Sequence, residues 1–364
     1  MKCICERTAL SEALGMTSGV TLTRTPKPIL ACVRVTAEEG SLRLTAYDQE
    51  VGLRCRVRQV EVSEPGEVLV NGDRLMSIVR ECSDETLAFE TSDEFLSIRG
   101  EDSHFRVVSQ DVREFPPVPE MEEDPDFTVK LSVVQKLVER TLFAAARETT
   151  RYAINGILWE KNGGRLRLVA TDGRRLAMAE ASLEKSVGED LSAIIPTKAL
   201  SLFGRVHPDA DEEVGFKVHP NEVIMRAEQM TISSVLVEGR FPKYQDVIPT
   251  DLDKKIDLKA AEFLSAVKRA ALLTNEESKG IRVHLSGEGM VLSSRAPEQG
   301  DATVRLGVEY AGESMEIGFN PAFLADALKV CDDTVTLELK TSGKPGVLRS
   351  GSDFHYVVMP VNLS

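Results

Sequence analysis

Two carboxylates recur at matching places in this 364-residue chain. Asp48 follows Ser41-Leu42-Arg43-Leu44-Thr45-Ala46-Tyr47, and Asp172 follows Arg165-Leu166-Arg167-Leu168-Val169-Ala170-Thr171. Paired acids at strand ends are the raw material of general acid–base chemistry. The wider pattern favours a plainer reading: the third such segment, Gly289 to Ser294, is followed by Arg295-Ala296 and has no Asp, and Asp172-Gly173 is a strong turn signal. Both acids therefore read as turn or cap carboxylates. There is no GxxxxGK[ST] phosphate loop, no GxGxxG after a strand and no GxSxG elbow, and Ser342-Gly343-Lys344-Pro345-Gly346 is only a turn. Cys3, Cys5, Cys32, Cys55, Cys82 and Cys331 form no CxxC pair, and the five histidines are scattered. With no apolar leader after Met1, these cysteines read as reduced, buried thiols of a cytoplasmic protein. No catalytic residue, metal or cofactor is expected.

The elements that carry these residues repeat. Val70-Asn71-Gly72-Asp73-Arg74-Leu75, Ile195-Pro196-Thr197-Lys198-Ala199-Leu200 and Phe319-Asn320-Pro321-Ala322-Phe323-Leu324 share one pattern, with Leu75 and Leu200 separated by 125 positions and Leu200 and Leu324 by 124. Asn155-Gly156-Ile157 and Lys279-Gly280-Ile281 keep the same period, and Glu114-Phe115-Pro116 matches Arg240-Phe241-Pro242. Solenoid units span only ~20–50 residues, so this period is that of a domain. The spacing predicts three similar domains over residues 1–119, 127–244 and 253–364. Pro116 to Phe127, with four prolines, five acids and no base, reads as the first linker, and Pro242 to Lys255 as the second.

Each repeat reads as strand, helix, several strands, helix, strands, an α+β arrangement of antiparallel sheets covered by helices. A helix is predicted from Ser132, as its N-cap, to Ala146, with Val134, Leu137, Val138, Thr141 and Ala145 on one face and Lys136, Arg140 and Arg147 opposite. The composition, 42% hydrophobic and 28% charged, is globular, and no apolar run approaches the ~18 residues of a membrane span. A net charge of -14 argues at first against a nucleic-acid partner. Charge is nevertheless segregated: Ser132 to Arg151 carries four bases and two acids, and Arg80, Arg205 and Lys329 recur at one repeat position. Such bases either cap helix C-termini or jointly face a polyanion.

Several segments resemble a known family. Ala170-Thr171-Asp172-Gly173-Arg174-Arg175-Leu176-Ala177, Arg151-Tyr152-Ala153-Ile154-Asn155-Gly156, Gly239-Arg240-Phe241-Pro242-Lys243-Tyr244 and the C-terminal Tyr356-Val357-Val358-Met359-Pro360-Val361 are similar to motifs of bacterial DNA polymerase III beta subunits, the sliding clamps of replication. The resemblance runs through all three repeats. It implies the DNA clamp fold: three similar clamp domains per chain, head-to-tail homodimers, sheets outside and helices lining a ring that encircles double-stranded DNA without reading its sequence. It further implies a non-catalytic processivity factor whose partners are the DNA polymerase III alpha subunit, a clamp loader and other proteins with a clamp-binding motif, with no membrane. The alternative reading is a three-domain interaction scaffold without DNA binding, and an enzyme centred on Asp172 is a third.

Position by position, the resemblance implies a pocket for partner peptides formed by Ile154, Thr171, Gly173, Arg174, Arg175 and Leu176, by Pro242, Asp246 and Val247, and by Ser278, Asn320, Phe323, Val357, Val358, Met359 and Pro360. Asp246 stands where one branch of the family has a base, and Ser278 where it has an aromatic. DNA-facing positions would be Arg24, Tyr152 and Lys198, with Arg80, Arg140 and Arg205 added by the charge pattern. The dimer contact would place Phe105 and Val107 of one protomer against Leu272 and Leu273 of its partner.

Overall fold

The computed structural model describes residues 1–92, 94–147, 153–183, 189–206, 212–274 and 280–362. The chain forms two compact units. One comprises Met1–Val134, Lys185–Gly188 and Lys198–Leu236; the other comprises Gln135–Glu184, Glu189–Thr197 and Val237–Ser364. The middle repeat thus contributes strands to both.

Among the described residues there are six α-helices, two per repeat: α1 (Arg7–Thr17), α2 (Gly72–Glu81), α3 (Leu131–Leu142), α4 (Thr197–Ser201), α5 (Ala260–Ala270) and α6 (Pro321–Leu328). Their starts follow from capping chemistry. Asn71 and Asn320 accept the backbone N–H of Arg74 at 3.0 Å and Ala322 at 2.9 Å, satisfying donors that a helix cannot satisfy itself. Pro321 occupies the first turn of α6, where its missing N–H costs nothing. Leu75, Leu200 and Leu324, equivalent by the repeat, are all fully buried on α2, α4 and α6.

The first unit is built on a thirteen-stranded sheet. Its strands from the first repeat join those of the middle repeat where Val51–Val57 pairs antiparallel with Met230–Val235, in the register Cys55 to Met230 and Leu53 to Ile232. Gly52 lies at this seam because a Cβ there would meet the side chains of Val118 and Ser233 at 2.4 and 2.5 Å. The second unit holds an eight-stranded and a four-stranded sheet. Here Arg175–Ser182, from the middle repeat, pairs with Phe354–Val358, from the third, in the register Arg175 to Val358 and Leu176 to Val357. Among the described residues all strand pairs are antiparallel, and alternation buries one face of strands such as Lys254–Lys259.

Three local readings need correction. First, α3 begins at Leu131, whose N–H donates to the Glu212 carbonyl, so Ser132 sits in the first turn and is not its cap. Second, the same helix ends at Leu142, before Ala146. Third, Arg140 does not share an exposed face with Lys136. Its side chain is 2% exposed, paired with Asp332 at 2.8 Å and Asp353 at 2.9 Å, and lies over the Phe354 ring at 5.3 Å.

Candidate functional site

The proposed acid pair is structural. Asp48 Oδ1 accepts the N–H groups of Glu50 and Val51 at 2.8 and 2.6 Å, and Asp172 Oδ1 accepts those of Arg174 and Arg175 at 2.9 and 3.1 Å. Each carboxylate closes a turn between strands. Gly173 completes the second turn with φ +86°, a conformation that a side chain would oppose.

That turn borders the candidate peptide site in the second unit. The strand Arg165–Thr171 runs into it and Arg175–Ser182 leaves it. The Met359 N–H donates to the Arg174 carbonyl at 2.9 Å, which brings the last strand beside the turn. Leu176 and Val357, opposite each other in register, are buried in one apolar cluster with Tyr244 and Val347, and Phe241 and Ile248 pack against it. Val247 and Met359 remain 51% and 42% exposed. Exposed apolar side chains adjoining in sequence the residues of a buried apolar cluster suit an apolar ligand.

Arg175 ties this turn to the neighbouring helices. Its Nε donates to Asp172 Oδ2 at 3.0 Å, Nη1 to Asp326 Oδ2 at 3.0 Å and Nη2 to the Phe143 carbonyl at 2.7 Å. The guanidinium lies 4.4 Å from the centre of the Phe323 ring. Burial opposes its charge, yet Tyr356, Asp326 and Asp172 outweigh that and hold its pKa above the ordinary value. Burial likewise opposes ionisation of Asp326, but Lys329 and Arg175 keep its carboxyl below the usual range. The Tyr356 hydroxyl donates to the Phe323 carbonyl at 2.9 Å, fixing the first turn of α6. The arginine is thus a rigid strut between the turn, α6 and the residue after α3.

The structure therefore brings together Thr171, Gly173, Arg174, Arg175 and Leu176 with Val357, Val358, Met359, Asn320 and Phe323. Pro242, Asp246 and Val247 follow through the packing of Phe241 and Tyr244. Asp246 is exposed and Pro360 half-buried; Ile154 is 7% exposed and its carbonyl accepts the Ala146 N–H. Ser278 lies outside the described residues. Sequence reasoning missed Phe143, Asp326 and Tyr356 as supports of the pocket. Only the invariable need of a buried guanidinium for partners pointed to them.

The proposed DNA-facing bases divide. Arg24 and Arg80 are exposed. Arg205 is exposed but caps α1, donating to the Gly15 carbonyl at 2.8 Å. Lys198 is ion-paired with the buried Asp48 and half-exposed. Lys329, the third member of the recurring set, pairs with Asp326 at 3.0 Å. Arg140 is withdrawn from the set, since its guanidinium is 2% exposed and already paired with two carboxylates, out of reach of a phosphate. Tyr152 lies outside the described residues.

The residues expected at the dimer contact lie on or beside two strands that are partly or wholly unpaired along one edge. His104–Gln110 pairs fully with Phe95–Arg99, but with Gly66–Asn71 only through Ser109 and Gln110. Phe105 and Val107 are half-buried on it, while Val108, not singled out from sequence, is 59% exposed. In the second unit Gly300–Leu306 is one of the two outermost strands of the four-stranded sheet. Leu272 is 75% exposed, and the half-buried Leu273 lies beside Gly300.

Antiparallel sheets in three repeats, each with two helices, define the three-domain sliding-clamp class. Profiles of the DNA polymerase III beta subunit match the whole length: its N-terminal domain at residues 1–119, its central domain at 128–243 and its C-terminal domain at 245–362. The chain belongs to that family. It is 34% identical to the beta sliding clamp of Pseudomonas aeruginosa over 98% of this chain and 99% of that one, and 30% identical to that of Escherichia coli over 100% of each. The crystal structure of the Pseudomonas aeruginosa clamp bound to griselimycin superposes with a TM-score of 0.92 at 33% identity, covering 100% of both chains.

Proposed function

We propose that this chain is a non-catalytic processivity clamp, with domains over residues 1–119, 127–244 and 253–364. Two copies close head-to-tail into a ring around duplex DNA, with the helices toward the DNA. The single observation that carries the ring is the presence of two unlike open edges on one chain. The first is the strand edge at Phe105, Val107 and Val108; the second is the Gly300–Leu306 edge with Leu272 and Leu273. Unpaired, apolar strand edges are an association hazard unless another chain covers them. A heterologous contact that closes after two copies covers both of these edges in each copy.

The pocket at Val247, Met359 and Arg175 seats a short peptide with Leu and aromatic anchors. The partners are the polymerase III alpha subunit, a clamp loader and other proteins carrying such a peptide, in the cytoplasm. A closed ring binds by topology, so a chain of net charge -14 needs only a few bases toward the phosphates. Arg24, Arg80, Lys198 and Arg205 are the candidates. The test is retention on circular DNA after loading, compared with the same DNA linearised. Retention only on the circle supports the clamp; equal behaviour on both favours the scaffold reading.

A further inference from the structure

The first unit carries a basic cleft that neither the pocket nor the open edges use. Arg43 stands directly opposite Arg56 where Ser41–Tyr47 pairs with Val51–Val57. Arg54, two residues from Arg56, shares that face of the sheet. It stands opposite Thr231, which in turn stands opposite Arg226 on the strand Glu222–Arg226. The alternating Leu53, Cys55 and Val57 are buried on the other face. A cavity of about 230 Å³ lies among the four arginines and is also lined by Glu120 and Glu228.

Those two acids are already engaged, Glu120 with Arg54 at 2.9 Å and Glu228 with Arg58 at 2.8 Å, and Arg43 is paired with Glu38. Arg56 and Arg226 are exposed and have no carboxylate partner among the described residues; Arg226 donates to the Met121 carbonyl at 3.3 Å. Like charges directly opposite on an antiparallel ladder are destabilising. The Arg43–Arg56 pair is such a contact, which Glu38 offsets on the Arg43 side and no carboxylate among the described residues offsets on the Arg56 side. The excess of positive charge reaches Arg54: burial lowers its pKa, and Arg43 and Arg34 add to that against the pull of Glu120.

We propose that this cleft binds a compact, multivalent oxyanion of the phosphate class, gripped by Arg56 and Arg226. Guanidinium forks match phosphate oxygens two at a time. A doubly charged anion converts the Arg43–Arg56 repulsion into a shared attraction. Arg56 and Arg226 stand on opposite sides of the seam between the first and middle repeats, so the bound anion also ties that seam together. The phosphate group arrives either free or as an ester on a partner protein.

The experiment is calorimetric titration of the full chain with inorganic pyrophosphate at constant ionic strength, balanced with chloride. Saturable binding is expected, weakened about tenfold or more by Arg56→Gln and by Arg226→Gln. Arg99→Gln, which removes another exposed arginine of the same sheet, leaves it unchanged. A short neutral peptide bearing one phosphoserine is titrated in parallel. Tighter binding of pyrophosphate assigns the cleft to free phosphates, and tighter binding of the peptide assigns it to a phosphorylated partner. Absence of saturable binding to both probes, or an equal loss in Arg99→Gln, overturns the proposal.

Discussion

Leu272→Ala is the cleanest perturbation of the proposed ring. In the single chain Leu272 is 75% exposed, so trimming it alters the stability of an isolated chain by no more than about 0.5 kcal/mol. In the proposed ring the same side chain is expected to be covered. The substitution removes three carbons, worth about 0.8 kcal/mol each on burial; scaled to the 75% left to cover, that is about 1.8 kcal/mol per contact. A head-to-tail dimer contains the contact twice. The ring therefore loses about 3.6 kcal/mol, which raises its dissociation constant several-hundred-fold, on the order of 400. Sedimentation equilibrium across nanomolar to micromolar concentrations reads that shift, with the thermal midpoint of the monomeric chain as the control. A dissociation constant within tenfold of the parent's refutes the reasoning, because no other feature of Leu272 in the single chain gives it work to do. Leu273→Asp is expected to yield monomers too, but its half-buried position makes it a less selective probe.

Other outcomes follow from the second unit. Arg140→Met removes two ion pairs and the packing over Phe354; since Asp332 and Asp353 are 52% and 39% exposed and rehydrate, the loss is about 2 kcal/mol, below that of a fully buried pair. Burial raises the Asp332 pKa, but Arg140 and Lys136 outweigh it, so the folded value is depressed. The stabilisation is then complete above the unfolded value near ~4 and is lost as pH falls through the folded one. The gap in melting temperature between the parent and Arg140→Met narrows below about pH 4; a constant gap down to about pH 3 contradicts the assignment. In the pocket, the exposed Asp246 disfavours acidic residues in a bound peptide. Fluorescence anisotropy with a peptide series of graded charge should show the ranking flatten in Asp246→Ala, and an unaltered ranking speaks against a role for this residue.

Much of the pocket was legible before folding because its turn is chemically explicit. Asp172, Gly173 and the flanking alternation specify a tight reversal, and Leu176 falls on the buried side of its strand. The segment Val357 to Pro360 reads from sequence as an edge strand of the last sheet, but Phe354–Val358 is an interior strand, paired with Arg175–Ser182 on one side and Gly346–Ser350 on the other. What escaped was every partner supplied from a distance. Arg140 reads as an exposed helix base because Lys136 lies one turn away, yet its acids come from about 190 positions later in the chain. Likewise Lys198 reads as a free base until the fold brings Asp48 to it.

By itself the sequence determined the periodicity of the protein. Caps, alternation and the recurring leucines depend on neighbours within a few residues, and these are the same in any context that lets the segment fold. Only the tertiary structure decided which charges are free. An arginine is a phosphate ligand, a helix cap or an internal strut according to whether a carboxylate from another repeat reaches it. Coulomb attraction between close charges is strong enough that the nearest acid outweighs any pattern along the chain. Arg56 and Arg226 remain available because the register that aligned them left their acids elsewhere, and Arg140 does not because Asp332 and Asp353 arrived.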